Sequence, residues 1–292
     1  EKTVKNIEWN NLQNVEPNLF FANKDFEGAE SYDKGFKIDE IFIIGSSGIK
    51  TERDSLTIKF TQQELEETLN EFIKIDDIEL FRKNNNLKPD GRDWKITLAK
   101  KDLLEKKYEF IKYGYKPFDI RYSAYTGTTK GFMAYPRHEI SKNFINKKNY
   151  GVVLMRKLVN SEVFTSIALT NIPIDLNFYG FQSYNFPLYL YQEPTAFDER
   201  ERIPNFNPKI LAEIEAKLGM KCVDDENFGK ENFSKENFGK ENFGKVLNFA
   251  EVENTPKVEN TPKAESKKTN FSPLHLLDYI YAVLHSPKYR ET

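Results

Sequence analysis

Residues 115–137, YKPFDIRYSAYTGTTKGFMAYPR, gather the side chains in this sequence best suited to touch a polyanion. Four tyrosines, two arginines, two lysines and four Ser/Thr hydroxyls surround one short acidic turn. Aromatic faces alternating with cations and small hydroxyls suit contact with phosphates and stacking against bases. They suit a hydrophobic core poorly, because Arg and Lys are almost never buried without a partner. Residues 112–160 carry a net charge of +8, whereas the whole chain carries −2. A basic block on an acidic body is a localised electrostatic footprint, not a generally polycationic molecule.

Catalytic chemistry is not legible beside this block. The three histidines, 138, 275 and 285, do not cluster, and there is one cysteine, Cys222. A structural zinc site and a Ser-His-Asp set both lack their parts. GKENFGK at 239–245 has the spacing of a phosphate-binding loop, but Val246 stands where a hydroxyl should hold magnesium. Pro89-Asp90 and Asp93-Trp94-Lys95 imitate a nuclease signature whose two halves lie too close together. Asn185-Phe186-Pro187-Leu188-Tyr189 is one residue away from the motif that grips a flipped adenine in amino-methyltransferases, and no Gly-rich loop for S-adenosylmethionine accompanies it.

The elements that must position the basic block are mixed. Residues 38–44 and 55–60 read as strands, the second by its alternation. Thr61 and Glu64 fit a capping box opening a helix with the stripe Leu65, Leu69, Phe72 and Ile73. Residues 84–93 read as a polar loop, 98–111 as a helix and 138–147 as another. Residues 151–155, 163–170, 172–178 and 186–191 are β-like. Asn207-Pro208 starts a helix that Gly219 ends, and Ser272-Pro273 starts one with the stripe Leu274, Leu277, Ile280, Tyr281 and Leu284. Without a steady βαβ rhythm the expected class is α+β: a twisted, mainly antiparallel sheet flanked by helices.

At 292 residues the chain is long enough for one large domain or two ordinary ones, and 24 Phe with 15 Tyr supply a core and a binding face together. The single cysteine leaves no intrachain disulfide and reads as a reducing, cytoplasmic setting. No apolar run approaches the roughly 18 residues of a membrane span. A sequence opening on Glu-Lys-Thr reads as a piece of a longer polypeptide. Between 225 and 245 ENFGK recurs, once as ENFSK, and VENTPK occurs twice from 252 to 263. A charged five-residue period matches neither helix nor strand, so the insertion before the C-terminal helix is expected to be a disordered linker.

Seven strings in order carry a family resemblance: GIKTERD (48–54), YKPFDIRYSAY (115–125), PRHEISKNF (136–144), NYGVVLMRK (149–157), FPLYLY (186–191), IPNFN (203–207) and SPLHLLDYIYAVLHSPKYRE (272–291). Together they resemble the C-terminal specificity region, or target recognition domain, of type ISP restriction–modification enzymes, single polypeptides that join nuclease, helicase-like ATPase, adenine-specific methyltransferase and recognition domains. The resemblance implies double-stranded DNA as partner and no cofactor in this chain; S-adenosylmethionine, ATP and magnesium would belong to the methyltransferase and helicase–nuclease domains.

On that footing residues 1–111 are expected to form a layer bridging to the methyltransferase, 112–220 the recognition body, 221–270 the linker and 271–292 a helix packing back. Lys50, Arg53, Lys130, Lys142, Lys147 and Lys148 are the expected phosphate contacts, with the Gly48–Asp54 turn offering amides and the Thr51 hydroxyl. Lys157 joins them from the same block. Tyr125, Thr126, Thr128, Arg137, Arg156 and Gln182 are the expected base readers. Arg121 is open between a DNA contact and an ion pair with Asp119. Two other classes stay open: a module docking an acidic protein, and an enzyme with an unrecognised site.

Overall fold

The computed structural model describes residues 34–155, 166–192, 200–225 and 270–286. In chain order they form α1 (Ile38–Ile41), β1 (Ser46–Ser47), α2 (Asp54–Thr57), α3 (Gln62–Lys74), α4 (Ile78–Asn84), α5 (Ile96–Glu105), β2 (Glu109–Lys116), β3 (Asp119–Tyr125) and α6 (His138–Ser141). Then come β4 (Gly151–Met155), β5 (Ile167–Thr170), β6 (Ser183–Pro187), β7 (Tyr189–Tyr191), β8 (Arg202–Pro204), α7 (Pro208–Leu218), β9 (Lys221–Cys222), β10 (Asn270–Phe271) and α8 (Pro273–His285). The class is α+β, with antiparallel sheets and helices around them.

Local chemistry explains most helix starts. At α3 the Glu64 N–H donates to Thr61 Oγ1 at 3.1 Å and the Thr61 N–H donates back to Glu64 Oε2 at 3.2 Å, while Leu65, Leu69 and Phe72 are buried. Asn207 caps α7, which ends at Gly219 with φ +64°, and Ser272 caps α8. Three expected strands are corrected: in 172–178 only Ile174 and Asp175 make isolated bridges, and a turn follows. Residues 38–41 make a helical turn, closed by Glu40 on the Lys37 amide; acidic residues favour a helix start. Residues 54–57 make another, because the Arg53 carbonyl accepts from the Leu56 and Thr57 amides and the Thr57 hydroxyl. Extended backbone begins at Ile58, and Lys59 bridges Tyr122. The helix expected over 98–111 ends at Glu105, and residues 109–111 open β2; that over 138–147 ends at Ser141 and is followed by a turn. Helix α4 occupies residues just before the expected polar loop.

A four-stranded sheet runs β1-β6-β4-β5, antiparallel throughout. The β2–β3 hairpin is a separate antiparallel ribbon. Residues 173–176 tie the two together: the Gly114 and Asp175 amides bond across one side, the Ile49 and Leu176 amides across the other, at 2.8–2.9 Å. Gly48 is required here, since a β-carbon on it would run into the backbone of Asp175. One core joins Leu65, Leu69, Phe72, Phe81 and Trp94 with Ile111, Tyr113 and Phe132, so it spans both sides of position 111/112. A second joins Phe42, Val152, Phe186 and Phe206 with Leu277 and Ile280 of α8. Residues 221–225 precede the repeats and β9 pairs β10 in parallel; the repeats themselves lie outside the described residues.

Three buried asparagines stitch loops to strands. Asn143 donates to the Glu139 and Ile140 carbonyls and accepts from the Tyr191 amide. Asn149 donates to the Asn143 and Tyr189 carbonyls and accepts from the Tyr150 and Tyr189 amides. Asn205 donates to the Ile44 and Pro187 carbonyls and accepts from the Ile44 amide. Each lies in a string that carried the family resemblance, and each serves the fold.

Candidate nucleic-acid interface

The 48–54 turn is spent on structure. The Gly48, Ile49 and Lys50 amides donate to Ser183, Ile174 and Tyr135 carbonyls, leaving none of them for a phosphate. Thr51 is buried and its hydroxyl donates to Asp54. Arg53 is buried too: its guanidinium donates to the Glu52, Lys88 and Pro89 carbonyls and stacks 4.8 Å over Trp94. Neither presents a free donor at the surface. A guanidinium with three carbonyl acceptors, two of them on the 88–94 loop, is a clamp held away from solvent.

Lys50 belongs to a centre that sequence spacing does not reveal. Its Nζ lies 2.5 Å from Glu52 Oε1 and 3.1 Å from Asp93 Oδ2. Asp93 also takes Arg92 Nε at 2.9 Å, Arg92 Nη2 at 3.0 Å and the Tyr135 hydroxyl at 3.1 Å. Lys50 and Arg137 both sit over the Tyr135 ring, at 5.7 and 5.4 Å. Arg92 keeps 87% of its side chain exposed, so the edge not used by Asp93 faces solvent. Hydrogen bonds from Arg92 and Lys50 hold the Asp93 carboxyl far below the usual carboxylate range, and the bond to Glu52 raises Lys50. The nuclease-like Asp90–Asp93 spacing therefore has another use. Asp90 accepts from Arg82 and from the Ile96 amide, and among the described residues no three His, Cys, Asp or Glu side chains form a metal cluster.

Because Asp93 titrates lower in the folded protein than unfolded, it adds stability above the unfolded value of about 4, and that stability disappears as pH falls through the acid range. Asp93→Asn is expected to lower Tm at neutral pH and to flatten the decline of Tm on acidification. Thermal melts of both proteins between neutrality and about pH 2 check this, and parallel acid limbs would contradict it.

Arg137 has φ +50° at the start of α6, an uncommon backbone for a non-glycine residue, and its buried Nε has no partner among the described residues. The loop ahead of it is braced from α5. Asp102 Oδ2 accepts the Thr126 hydroxyl at 2.6 Å and the Phe132 amide at 2.9 Å, and Thr126 Oγ1 in turn receives the Thr128 amide. Thr126 is thus a half-buried strut, and the half-buried Thr128 is tied to it through its backbone amide. Tyr125 is buried, its hydroxyl 2.8 Å from His138 Nδ1, and burial raises its pKa. These three sit where they shape the loop rather than project from it. Lys130, at φ +59°, does project.

Arg121 is paired: Nε and Nη2 reach Asp119 at 3.0 and 2.8 Å, and the guanidinium stacks over Phe60 at 4.3 Å and Tyr115 at 4.0 Å. Lys142, Lys147 and Lys148 are exposed, and Lys147 lies 5.0 Å over Tyr191. Gln182 is exposed and donates to the Tyr184 hydroxyl. Arg156 and Lys157 lie outside the described residues. The structure therefore brings Lys50, Arg137 and the unanticipated Arg92 onto Tyr135 and Asp93. It leaves Lys130, Lys142 and Lys148 as exposed cations and buries Thr51, Arg53 and Tyr125. The signal for Arg92 was its place beside Asp93 in a polar loop.

A family model described as the Type ISP C-terminal specificity domain matches residues 40–292. The chain belongs to this family. No curated protein matches it. Solved structures align with this specificity domain at low identity. The ATP-dependent Type ISP restriction-modification enzyme LlaBIII bound to DNA aligns with a TM-score of 0.44 and 18% identity, over 62% of this chain and 12% of that one. A nuclease-deletion mutant of the Type ISP enzyme LlaGI with a DNA substrate mimic gives 0.47 and 17%, over 74% and 21%. A DrdV–DNA complex gives 0.42 and 22%, over 68% and 19%. The specificity domain thus spans about a fifth or less of the length of these chains. Among its described residues no helix is long and apolar enough to cross a membrane.

Proposed function

We propose that this chain reads the sequence of double-stranded DNA for a type ISP-like restriction–modification enzyme. Methylation of adenine, ATP hydrolysis and cleavage are assigned to methyltransferase and helicase–nuclease domains of the same polypeptide, and S-adenosylmethionine, ATP and magnesium with them. The observation that carries this reading is membership of the specificity-domain family over residues 40–292. The reading sets the protein in the bacterial cytoplasm, on the chromosome or on invading DNA.

The work divides by physics. Lys130, Lys142, Lys147 and Lys148 present point charges on flexible stems to phosphates and fix register. Arg92, held on Asp93, and Arg137, over Tyr135, offer planar donors of the kind that pair with guanine in the major groove, and Gln182 offers the amide that suits adenine. Arg156 and Lys157 extend the same basic block and stay in the proposed interface. Asp93 and Asp102 touch no DNA in this scheme; they hold the Arg92 centre and the 126–131 loop in place. Once the site is bound, the methyltransferase domain would flip its adenine out of the stack.

Selection of bound duplexes from a randomised library by the full chain tests this. Recovery of one sequence motif is expected. Retention of every duplex alike, or of none, contradicts the reading.

A further inference from the structure

The β2–β3 hairpin ends in a two-residue turn, Pro117-Phe118, between the paired residues Lys116 and Asp119. Proline in second place followed by positive φ is the pattern of a type II turn, whose third place is normally Gly or Asn. Phe118 takes it at φ +65° with its ring fully exposed. An aromatic residue in left-handed backbone is an outlier, and such outliers concentrate at functional sites. Ile120, two residues on, is 57% exposed, and Phe60, on the neighbouring segment against Arg121, is 67% exposed.

The base of this tip is rigid. A β-bulge at Tyr115 shifts the register between Gly114 and Lys116. The Tyr115 hydroxyl is fixed on Asp54 Oδ2 at 3.1 Å and its ring lies under Arg121. Arg121 in turn grips Asp119, the residue after Phe118, and covers Phe60. Asp119, the acid nearest the tip, is thereby neutralised. The exposed Lys112 supplies positive charge along the ribbon, while the Lys116 ammonium lies over the Tyr115 ring and donates to the Asn177 carbonyl. Two apolar side chains, Phe118 and Ile120, on a narrow tip fall far short of the roughly 800 Å² per partner of a stable protein interface. A projecting ring with cations behind it matches the wedges that part neighbouring base pairs and kink a duplex.

We propose that Phe118 enters between two stacked base pairs of bound DNA, with Lys112 toward a flanking phosphate. Arg121 is the positioning residue that keeps the tip stiff. This rests on the DNA-reading function above. The test compares the full chain with Phe118→Gly on a selected duplex carrying 2-aminopurine at each position in turn. Glycine accepts the positive φ, so the variant should melt no lower than the parent.

The parent is expected to raise 2-aminopurine fluorescence severalfold at one step. The variant should lose that rise and bind about ten-fold more weakly, the loss of one base–aromatic stack, with an unchanged salt slope. Equal affinity and an equal fluorescence rise in the variant would overturn the wedge while DNA reading stands. That is the outcome for a tip that docks on protein. A parent that binds no duplex would overturn both.

Discussion

Changing Lys130, Lys142 and Lys148 together to Gln should cost much of the DNA affinity and leave the fold untouched. All three side chains are exposed and carry no ion pair or hydrogen bond within the described residues, so nothing in the folded protein depends on their charge. Removing one lysine–phosphate pair lowers the slope of log affinity against log salt by about 0.9, and removing three lowers it by about 2.7. Raising salt from about 50 to about 200 mM should therefore weaken the parent about 40-fold more than the variant. Anisotropy titrations across that range measure both slopes. Because phosphates carry no sequence information, the rank order of duplexes should survive the change. Equal slopes would remove these lysines from the interface.

Asn149→Ala has the largest expected effect on stability. Its amide serves four backbone groups on two segments, all within 2.8–3.1 Å, and the residue is 3% exposed. Alanine leaves two carbonyls and two amides without that partner. At roughly 1–3 kcal/mol for each buried group left unsatisfied, and with water reaching some, the net loss should be about 3–5 kcal/mol. Urea unfolding with an unchanged m-value measures it. A destabilisation below about 1 kcal/mol would show that the loop before β4 repacks easily. Asn149 is not among the residues proposed to touch DNA, so DNA binding of the molecules still folded should keep its sequence preference.

Capping chemistry was legible in the sequence because it is local. Thr61 with Glu64, Asn207-Pro208 with Gly219, and Ser272-Pro273 each lie within a few residues of the groups they satisfy. The run 151–155, buried at every position, was equally plain. The β2–β3 hairpin was not, because its turn lacks Gly or Asn at the residue with positive φ; Phe118 stands there instead. In the interface, residue type suggested that Arg53 reaches DNA, but its acceptors sit on Lys88 and Pro89, 35 and 36 positions away. The Tyr135 centre has the same character. Lys50, Arg92 with Asp93, and Arg137 come from three segments, and no spacing along the chain shows that they meet. Arg121 and Asp119 were close enough in sequence for their pairing to be foreseen as one of two alternatives.

Hydrogen exchange of the full chain with and without a selected duplex tests the central claim most directly, because it reads where DNA lies on the protein. The account predicts slowed exchange in the 126–131 loop, around Arg92 and over 137–148, with the α7 and α8 faces unchanged. Protection confined to α7 and α8, with the basic segments exchanging as in the free protein, would contradict it.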